Sequence, residues 1–472
     1  MNTKKDIKDI VTTANKAIED AKASQDKLNA VVTLCDIEPQ IENLKTIDKN
    51  SKLYGVPVVL KDNISTKGIR TTACSNILKN YVPAYDATIV KKLRDAGSIF
   101  IAKSSMDELA MGGTNINANI GRCCNPYDTS RITGGSSGGS AALVAAGIVP
   151  LAIGSDTGDS IRKPAGYCGI CGVKPTYGRI SRYGIIPYAS SLDTVGYFTS
   201  NVSDAATALE VLAGRDDLDM TSSSKVVENY STNLNSDITG KKIAIVDNIY
   251  EAIKDDSILI EFDKLIDNLA KRGAIIKHVH FNQEHMEALL PTYLIIANAE
   301  ATANHSNLDG IRFGEQVIGE NVDDVMINSR TAGFSSEVRK RFVIGSYSLF
   351  VENQEKIFMK AQKVRQVIVN ELKTIMADCD AIIGSSAGSV APHPDDSYGE
   401  KLSCTYLVAE NHMLLGNFSG FPSMSIPTAL VNELPIGVNI TTKAFEEQTM
   451  FNIAKAIEEE CNMKDKCVEV IK

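Results

Sequence analysis

The chain has 472 residues, a net charge of -9 at pH 7 and a hydrophobic fraction of 43%. These values are typical of a soluble globular protein with one large domain or two. The acidic balance argues against direct binding of nucleic acid over a broad surface, so any contact with RNA is expected through a partner.

The N-terminal segment MNTKKDIKDIVTTANKAIED places apolar residues at helical spacing among charged ones. This spacing predicts a helix from about residue 4 to residue 24. The segment lacks the apolar run and cleavage site of a signal peptide, and no later apolar stretch reaches the length of a membrane span. We therefore expect a cytoplasmic protein that does not enter a membrane.

Short β-branched runs alternate with helical patterns along the chain. Buried strands are predicted at 31–35, 56–60, 98–102, 149–153 and 242–246. The helical pattern before Ser98 ends in Gly97, as expected for a helix C-cap. This alternation predicts the α/β class, with a mixed β-sheet covered by helices on both faces.

The weakest continuity lies between Arg215 and Lys241, where the chain is polar and has no period. This segment fits a domain linker or a surface excursion. Because the strand and helix pattern resumes at once, we favour an excursion within a single large domain, residues 1–472. Within it, the catalytic core is predicted at about 50–215.

Helical patterns dominate the second half of the chain. They run from about 285 to 305 and from 336 to 378, and strands are expected near Ser423 and Leu434. The helix-rich stretch at about 285–378 is therefore interpreted as an insertion that forms a lid or a docking region.

Lys61 stands at the end of an apolar run, Val56 to Leu60. A lysine acts as a base only when it is neutral, and burial in such a run favours the neutral form. Pairing of Lys61 with Asp62 or with another carboxylate is the structural alternative.

The loop GGSSGGS, Gly134 to Ser140, contains the GxSxG pattern of a nucleophile elbow. That elbow needs a strand directly before it, whereas the preceding residues are polar and typical of a turn. A phosphate-binding loop is no better, because the GK[ST] ending is absent. Taken alone, the loop fits a serine-capped helix start equally well.

A second loop, GSDTGDSIRKPA at 154–165, comes directly after a predicted strand. Site residues of α/β sheets usually lie at this position. Successive backbone N–H groups in such a loop can form an oxyanion hole around a substrate carbonyl.

Cys168 and Cys171 have the CxxC spacing of a zinc or redox site. No second pair or neighbouring histidine completes four ligands, so a packed turn is favoured and no metal site is expected.

Together, Lys61 and the two serine loops resemble the amidase signature family, whose members use a Ser-cisSer-Lys triad. The resemblance implies that Ser160 is the nucleophile, that Ser136 is the bridging serine beside a cis peptide bond, and that Lys61 is the base. It also implies an oxyanion hole formed by the backbone N–H groups of Thr157, Gly158, Asp159 and Ser160.

Asp159 departs from the family pattern, because many members have DTGGS where this chain has DTGDS. A carboxylate beside the hole opposes an oxyanion unless it points away or is bonded elsewhere. If the position needs a positive φ, aspartate tolerates that conformation better than most residues. We expect activity to survive.

Further segments, at 174–196, 308–314, 333–349 and 418–440, are similar to the A subunits of tRNA-dependent amidotransferases. The resemblance implies hydrolysis of glutamine to glutamate and ammonia. It further implies passage of ammonia to a B subunit, where ATP and Mg²⁺ activate mischarged Glu-tRNA(Gln) or Asp-tRNA(Asn), and a small C subunit that completes a heterotrimer. The tRNA is then read mainly by the B subunit, and no cofactor is expected in this chain.

Binding of the α-carboxylate and the ammonium group of glutamine requires an arginine and an acidic residue beside the triad. By similarity the arginine is Arg341, with Tyr293 as a hydroxyl contact, although a solvated helix face is the alternative for Arg341. Counting back seven residues from Asn417 places the acid at Glu410.

Two other functions stay open at this point. One is a free-standing amidase acting on small amides, and the other is a catalytically silent scaffold in which Asp159 is the disabling change. The sequence does not say which mischarged tRNA is processed.

Overall fold

The computed structural model of the chain describes residues 6–396, 403 and 405–470. The predicted N-terminal helix is present as Ile7–Ala23, while residues 4 and 5 of the predicted range lie outside the described residues. Its apolar residues are spaced so that Ile10, Ala14 and Ala21 are buried against the domain.

All five predicted strands are confirmed, with shifts of at most three residues at their ends. The strands of the described chain are β1 (Val31–Leu34), β2 (Pro57–Lys61), β3 (Ile99–Ser104), β4 (Leu151–Asp156), β5 (Cys171–Lys174), β6 (Thr194–Thr199), β7 (Lys242–Val246), β8 (Ile275–Val279), β9 (Ala381–Ser385), β10 (Ser423–Val431) and β11 (Leu434–Thr442).

Helices connect and cover these strands. They are α1 (Ile7–Ala23), α2 (Gln25–Leu28), α3 (Glu38–Leu44), α4 (Thr88–Asp95), α5 (Gly138–Ala145), α6 (Arg162–Cys168), α7 (Val202–Leu212), α8 (Asp247–Ala252), α9 (Asp256–Lys271), α10 (Gln283–Glu287), α11 (Leu289–Asn304), α12 (Val322–Gly333), α13 (Ser336–Leu349), α14 (Val351–Gln354), α15 (Lys360–Ala377), α16 (Leu414–Ser419) and α17 (Glu447–Glu460). Short 3-10 helices at Asn76–Leu78 and Glu108–Ala110 and π-helical turns at Glu355–Met359 and Thr405–Ala409 accompany them.

The strands form one sheet in the order β1-β3-β2-β4-β6-β5-β10-β11-β9-β7-β8. Strand β2 runs parallel to β3 and β4, and β7 runs parallel to β8 and β9, whereas the remaining pairs are antiparallel. The predicted mixed sheet of an α/β domain is therefore confirmed.

Alternate side chains of the central strands pack on opposite faces, as the pleat requires. In β2, Val58 and Leu60 join the core formed with α4, α7, α9 and α17, whereas Val59 joins the core formed with α1 and α5. A further core, under α11, α13 and α15, covers the other end of this second face. Helices thus cover both faces of the sheet.

The helical patterns of the second half are divided rather than continuous. The 336–378 pattern is split because Phe350, with φ of -58° and ψ of 142°, has an extended backbone between α13 and α14. The pattern at 285–305 is divided between α10 and α11. The segment Arg215 to Lys241 lies between β6 and β7, and both strands belong to the same sheet. The segment is therefore an excursion within one domain.

Two smaller sequence features have structural explanations. Gly97 adopts a φ of +80° after α4, the conformation that a glycine C-cap supplies. Cys168 ends α6 and Cys171 begins β5, and both are buried. None of the helices in the described ranges combines the length and apolar character that crossing a bilayer requires.

Candidate active site

Lys61 is the last residue of β2, and its side chain is completely buried. Strand β4 is a parallel neighbour of β2, so both strands end at the same edge of the sheet. The two serine loops reach this edge as well. Nζ of Lys61 lies 2.8 Å from Oγ of Ser136, 2.8 Å from Oγ of Ser137 and 3.0 Å from Oγ of Ser155.

Burial lowers the pKa of Lys61 to about 7, against the opposing charges of Asp107, Asp156 and Asp193. No carboxylate of the described chain lies within ion-pair distance of its Nζ. The carboxylate of Asp62 instead faces Lys103, 4.0 Å away, and accepts from the backbone N–H of Thr72. The alternative in which Lys61 pairs with Asp62 is therefore wrong.

The amine of Lys61 donates to three serine hydroxyls, those of Ser136, Ser137 and Ser155. The hydroxyl of Ser137 donates to the carbonyl of Ser155, so Ser137 can only accept from Lys61. A neutral amine has two N–H donors and one lone pair, so one of these contacts can run in the opposite direction. The hydroxyls of Ser136 and Ser155 are the two that can donate to the neutral amine.

The loop that carries Ser136 is built by close backbone approach. The peptide bond from Gly135 to Ser136 is cis. A Cβ on Gly135 would come within 2.0 Å of a carboxylate oxygen of Asp107, so glycine is required there. Helix α5 begins inside this loop, at Gly138, but no strand of the described chain precedes the loop directly, so a nucleophile elbow is excluded.

Ser160 lies in the second loop, between β4 and α6, and is 3% exposed. Its carbonyl accepts from the N–H of Ser137, at 3.2 Å, which joins the two serine loops. Within the described ranges, the hydroxyls of Ser136 and Ser160 do not hydrogen-bond to each other in this conformation.

The four backbone N–H groups assigned to the oxyanion hole share one property. Among residues 6–396, 403 and 405–470, none of them donates to a protein acceptor: Thr157, Gly158, Asp159 and Ser160. Asp159 does not adopt a positive φ, so its side chain adds no strain of that kind. The loop thus presents free donors beside the Ser160 hydroxyl.

A buried network that the sequence analysis missed holds this loop in place. Asp156 pairs with Arg162 at 3.0 Å and accepts from the amide of Asn417 at 2.8 Å. Arg162 also donates to the carbonyl of Gly158, at 2.7 Å. Although burial acts to raise it, the pKa of Asp156 is lowered, because Arg162 lies beside it. An arginine at the start of an apolar helix directly after the loop was the available signal.

A cleft of about 470 Å³ opens at Asp159, the residue before Ser160. Its walls include Asp159, Lys163, Arg341, Tyr406 and Glu410. The structure therefore brings the predicted arginine and acid to one cavity, together with the residue that departs from the family pattern.

Arg341 projects from α13 and is not a freely solvated side chain. Its Nη1 donates to the hydroxyl of Tyr188 at 3.0 Å, and Tyr188 in turn donates to Asn298 at 3.2 Å. The ring of Tyr293 packs edge-on against Tyr188, with a centroid separation of 6.4 Å. A Cβ on Gly158 would lie 3.1 Å from this ring, so Tyr293 borders the loop of Ser160. Tyr188 is a second residue that the sequence analysis missed.

Glu410 reaches the cleft, but its carboxylate already has partners. Lys163 donates to it at 2.7 Å, and the backbone N–H of Gly388 donates at 2.8 Å. Although burial acts to raise it, the pKa of Glu410 is lowered, because Lys163 lies beside it.

Ser137, Ser155 and Asn63 complete the surroundings of Lys61 and were not assigned from the sequence. Asn63 donates to Oγ of Ser155 at 3.1 Å. Ser137 and Ser155 belong to the two serine loops, but the sequence does not say which hydroxyls of these loops face Lys61. Asn63 lies in neither loop.

The amidase family model matches residues 12–451. The chain belongs to the amidase family. It is 40% identical over 448 residues to the A subunit of the glutamyl-tRNA(Gln) amidotransferase of Lactobacillus gasseri, covering 94% of this chain and 92% of that protein.

Solved structures of other members share the fold. The crystal structure of the A subunit of glutamyl-tRNA(Gln) amidotransferase from Thermotoga maritima superposes with a TM-score of 0.80 at 34% identity, covering 95% of this chain and 91% of that one. The native peptide amidase of Stenotrophomonas maltophilia also has a TM-score of 0.80, at 25% identity, covering 96% and 93%. The shared fold therefore accommodates both named activities.

Proposed function

We propose that this chain is the glutamine-hydrolysing component of a tRNA-dependent amidotransferase that amidates Glu-tRNA(Gln). The observation that carries the chemistry is the buried Lys61 amine, 2.8 Å from Oγ of Ser136, together with the free backbone donors of residues 157–160. The identity of 40% over 94% of the chain to the A subunit of a glutamyl-tRNA(Gln) amidotransferase supports the choice of substrate.

In the proposed reaction, Ser160 is the nucleophile. Its hydroxyl turns towards Ser136 and attacks the carboxamide carbon of glutamine. Ser136 takes the proton of Ser160 while giving its own proton to the neutral amine of Lys61. The developing oxyanion is stabilised by the free N–H groups of residues 157–160.

Collapse of the tetrahedral intermediate needs a proton on the leaving nitrogen. The Lys61 ammonium returns its proton through Ser136, and ammonia leaves. A water molecule, deprotonated by the same relay, then hydrolyses the acyl-enzyme on Ser160 to release glutamate. No metal or cofactor takes part in these steps.

Glutamine binding follows from the charges of the cleft. The guanidinium of Arg341, oriented by Tyr188, faces the α-carboxylate of the substrate. Tyr293 borders the loop of Ser160 and supplies an apolar wall and a hydroxyl.

The ammonia has to reach a second active site, so partners are part of the proposal. We assign ATP and Mg²⁺ to a B subunit, which also reads the mischarged tRNA, and we expect a C subunit to complete a heterotrimer. The net charge of -9 makes this chain a poor tRNA-binding surface by itself. A cytoplasmic location goes with a role in protein synthesis.

Exposed apolar side chains support a docking surface on the helix-rich region. More than half of the large hydrophobic residues exposed in the described chain lie between 311 and 359. We define the docking surface by five of them that lie on three helices, Val322 and Ile327 on α12, Val343 and Tyr347 on α13, and Val351 on α14. Such a concentration is typical of a protein interface.

One assay tests the proposed function. The chain is co-expressed with its B and C subunits, and glutamine-dependent amidation of Glu-tRNA(Gln) and of Asp-tRNA(Asn) is measured. We expect amidation by the wild type and none by Ser160→Ala or Lys61→Ala with glutamine. Added ammonia should restore amidation in both variants, because it bypasses the glutaminase step.

The alternative of a free-standing amidase is favoured by the structural match to the peptide amidase. That function predicts hydrolysis of small amides by the chain alone, without partners and without amidation of tRNA. A silent scaffold predicts that the wild type and Ser160→Ala are equally inactive.

A further inference from the structure

Three carboxylates line the cleft, those of Asp159, Glu337 and Glu410. Glu337 accepts from Lys340 at 2.6 Å, and the other two differ in what they contact. The carboxylate of Glu410 accepts from Lys163 at 2.7 Å, from the N–H of Gly388 at 2.8 Å and from the hydroxyl of Tyr167 at 3.4 Å. Lys163 donates to the backbone carbonyl of Glu410 as well, at 2.6 Å. Glu410 and Lys163 thus form a closed, neutralised pair.

Asp159 has no comparable partners. Its carboxylate accepts no hydrogen bond from the described residues, and Nζ of Lys163 lies 4.0 Å away. A quarter of the side chain is exposed to the cleft. Burial raises the pKa of Asp159 to about 6, against the attraction of Lys163. The carboxylate of Asp159 therefore has free acceptor positions in the cleft, whereas that of Glu410 already accepts from three donors.

A positive group of the cleft, the guanidinium of Arg341, also has unused hydrogen-bond donors. Within the described ranges, the guanidinium of Arg341 has one hydrogen-bond acceptor, the hydroxyl of Tyr188. Most of its N–H groups remain for a ligand. Arg341 and Asp159 line the same cleft, and both act electrostatically on Tyr293. The guanidinium of Arg341 has free donors, and the carboxylate of Asp159 accepts no hydrogen bond from the described residues. These two groups suit the carboxylate and the ammonium group of an α-amino acid.

We propose that Asp159 binds the ammonium group of the substrate glutamine. In this arrangement Glu410 is the counter-ion of Lys163, rather than the ammonium site inferred from the sequence. The inference rests on the proposed function, since it names the residue that selects an α-amino acid in that same cleft. It also gives the departure from DTGGS a role, because Asp159 then contributes to substrate recognition beside the oxyanion loop.

Binding of the substrate ammonium group at Glu410 would require Lys163 to move. Lys163 would have to leave both the carboxylate and the carbonyl of Glu410, and it is 5% exposed. A buried ammonium that loses its partners is strongly destabilised. Asp159 accepts the same ligand without breaking a bond.

The test compares two substrates in the complex with the B and C subunits. The first is glutamine, and the second is glutaramate, which is glutamine without its α-amino group. The release of ammonia is measured for the wild type, for Asp159→Asn, for Asp159→Gly and for the double variant Lys163→Gln/Glu410→Gln. Asp159→Gly restores the glycine that many family members have, so it guards against failure to fold.

If Asp159 binds the ammonium group, both Asp159 variants should raise KM for glutamine about tenfold or more. Their kcat/KM for glutaramate should change less than twofold, so the preference for glutamine is lost. The double variant should keep the wild-type ratio of the two substrates.

Other results overturn the inference. Retention of the wild-type preference by Asp159→Asn and Asp159→Gly contradicts it, and so does an equal loss with both substrates. Loss of the preference in the double variant alone assigns the ammonium site to Glu410. If the wild-type complex releases ammonia from neither substrate, the proposed function is contradicted. This outcome differs from those that contradict the role of Asp159.

Discussion

The amine of Lys61 and the hydroxyl of Ser136 lie 2.8 Å apart in a fully buried setting, with no carboxylate of the described chain close enough to pair with the lysine. This arrangement distinguishes a lysine that can accept a proton from one that stays protonated. An ion pair would keep the amine protonated, whereas hydroxyl and carbonyl neighbours leave it able to accept a proton.

Replacement of Lys61 by arginine tests this directly. Arginine keeps a positive charge at all accessible pH values and cannot accept a proton, so we expect kcat for glutamine hydrolysis to fall about 10²–10⁴-fold. The Lys61→Met substitution should lower kcat by as much. It should not lower the thermal stability, because it removes a buried polar group. Ammonia release and Tm are measured together. An arginine variant with more than a tenth of wild-type activity would contradict the role of base.

The pH profile follows from the same residue. Burial lowers the pKa of Lys61 to about 7, and the neutral form is the active one. Below that pH the amine is protonated, so kcat should fall about tenfold for each unit towards pH 5. Above about pH 8 it should be level. Steady-state kinetics at saturating glutamine measure this profile, and a rate that rises as the pH falls would exclude Lys61 as the base.

The ion pair of Asp156 and Arg162 is expected to be structural as well as functional. Arg162→Met leaves the buried carboxylate of Asp156 unpaired, which should lower the free energy of unfolding by about 3–5 kcal/mol and disorder the Ser160 loop. Urea denaturation measures the change. Arg365→Met, at an arginine that is only partly buried and donates to the carbonyl of Phe418, is the matched control and should cost less. Equal stability of the two variants would contradict this role.

Tyr188 is expected to position Arg341. Tyr188→Phe removes the acceptor of the guanidinium, so KM for glutamine should rise about tenfold while kcat changes little. A fall in kcat with unchanged KM in Tyr188→Phe would point to a different role.

The docking surface is tested by charge. Val343→Glu and Tyr347→Glu change residues that are 69% and 57% exposed, so the stability of the isolated chain should change by less than about 0.5 kcal/mol. Both variants should nevertheless weaken co-purification with the B and C subunits. The control is Ile260→Glu, equally exposed on α9 across the sheet. A complex that tolerates both docking variants as well as the control would place the interface elsewhere.

Much of the fold was accessible from local patterns. The β-branched runs before Lys61 and before the Ser160 loop predict β2 and β4, because a strand buried on both faces is apolar throughout. The division between α13 and α14 was not accessible. The helical pattern continues through Phe350, and its extended backbone depends on how the two helices pack.

The site divides in the same way. Spacing along the chain, read together with a family resemblance, singles out Lys61, Ser136 and Ser160, because motif residues keep their sequence positions. The contact of Ser155 with Lys61 and that of Tyr188 with Arg341 were not accessible, because each joins side chains that are far apart in the chain.

By itself the sequence determined the class of the fold, the family and the position of the lysine and of the two serine loops. Only the tertiary structure decided that Lys61 faces hydroxyls rather than Asp62. It also decided that Lys163 hydrogen-bonds to Glu410, whereas it lies 4.0 Å from Asp159. The physical reason is that charge and basicity depend on distance and burial, which arise when separate segments pack together.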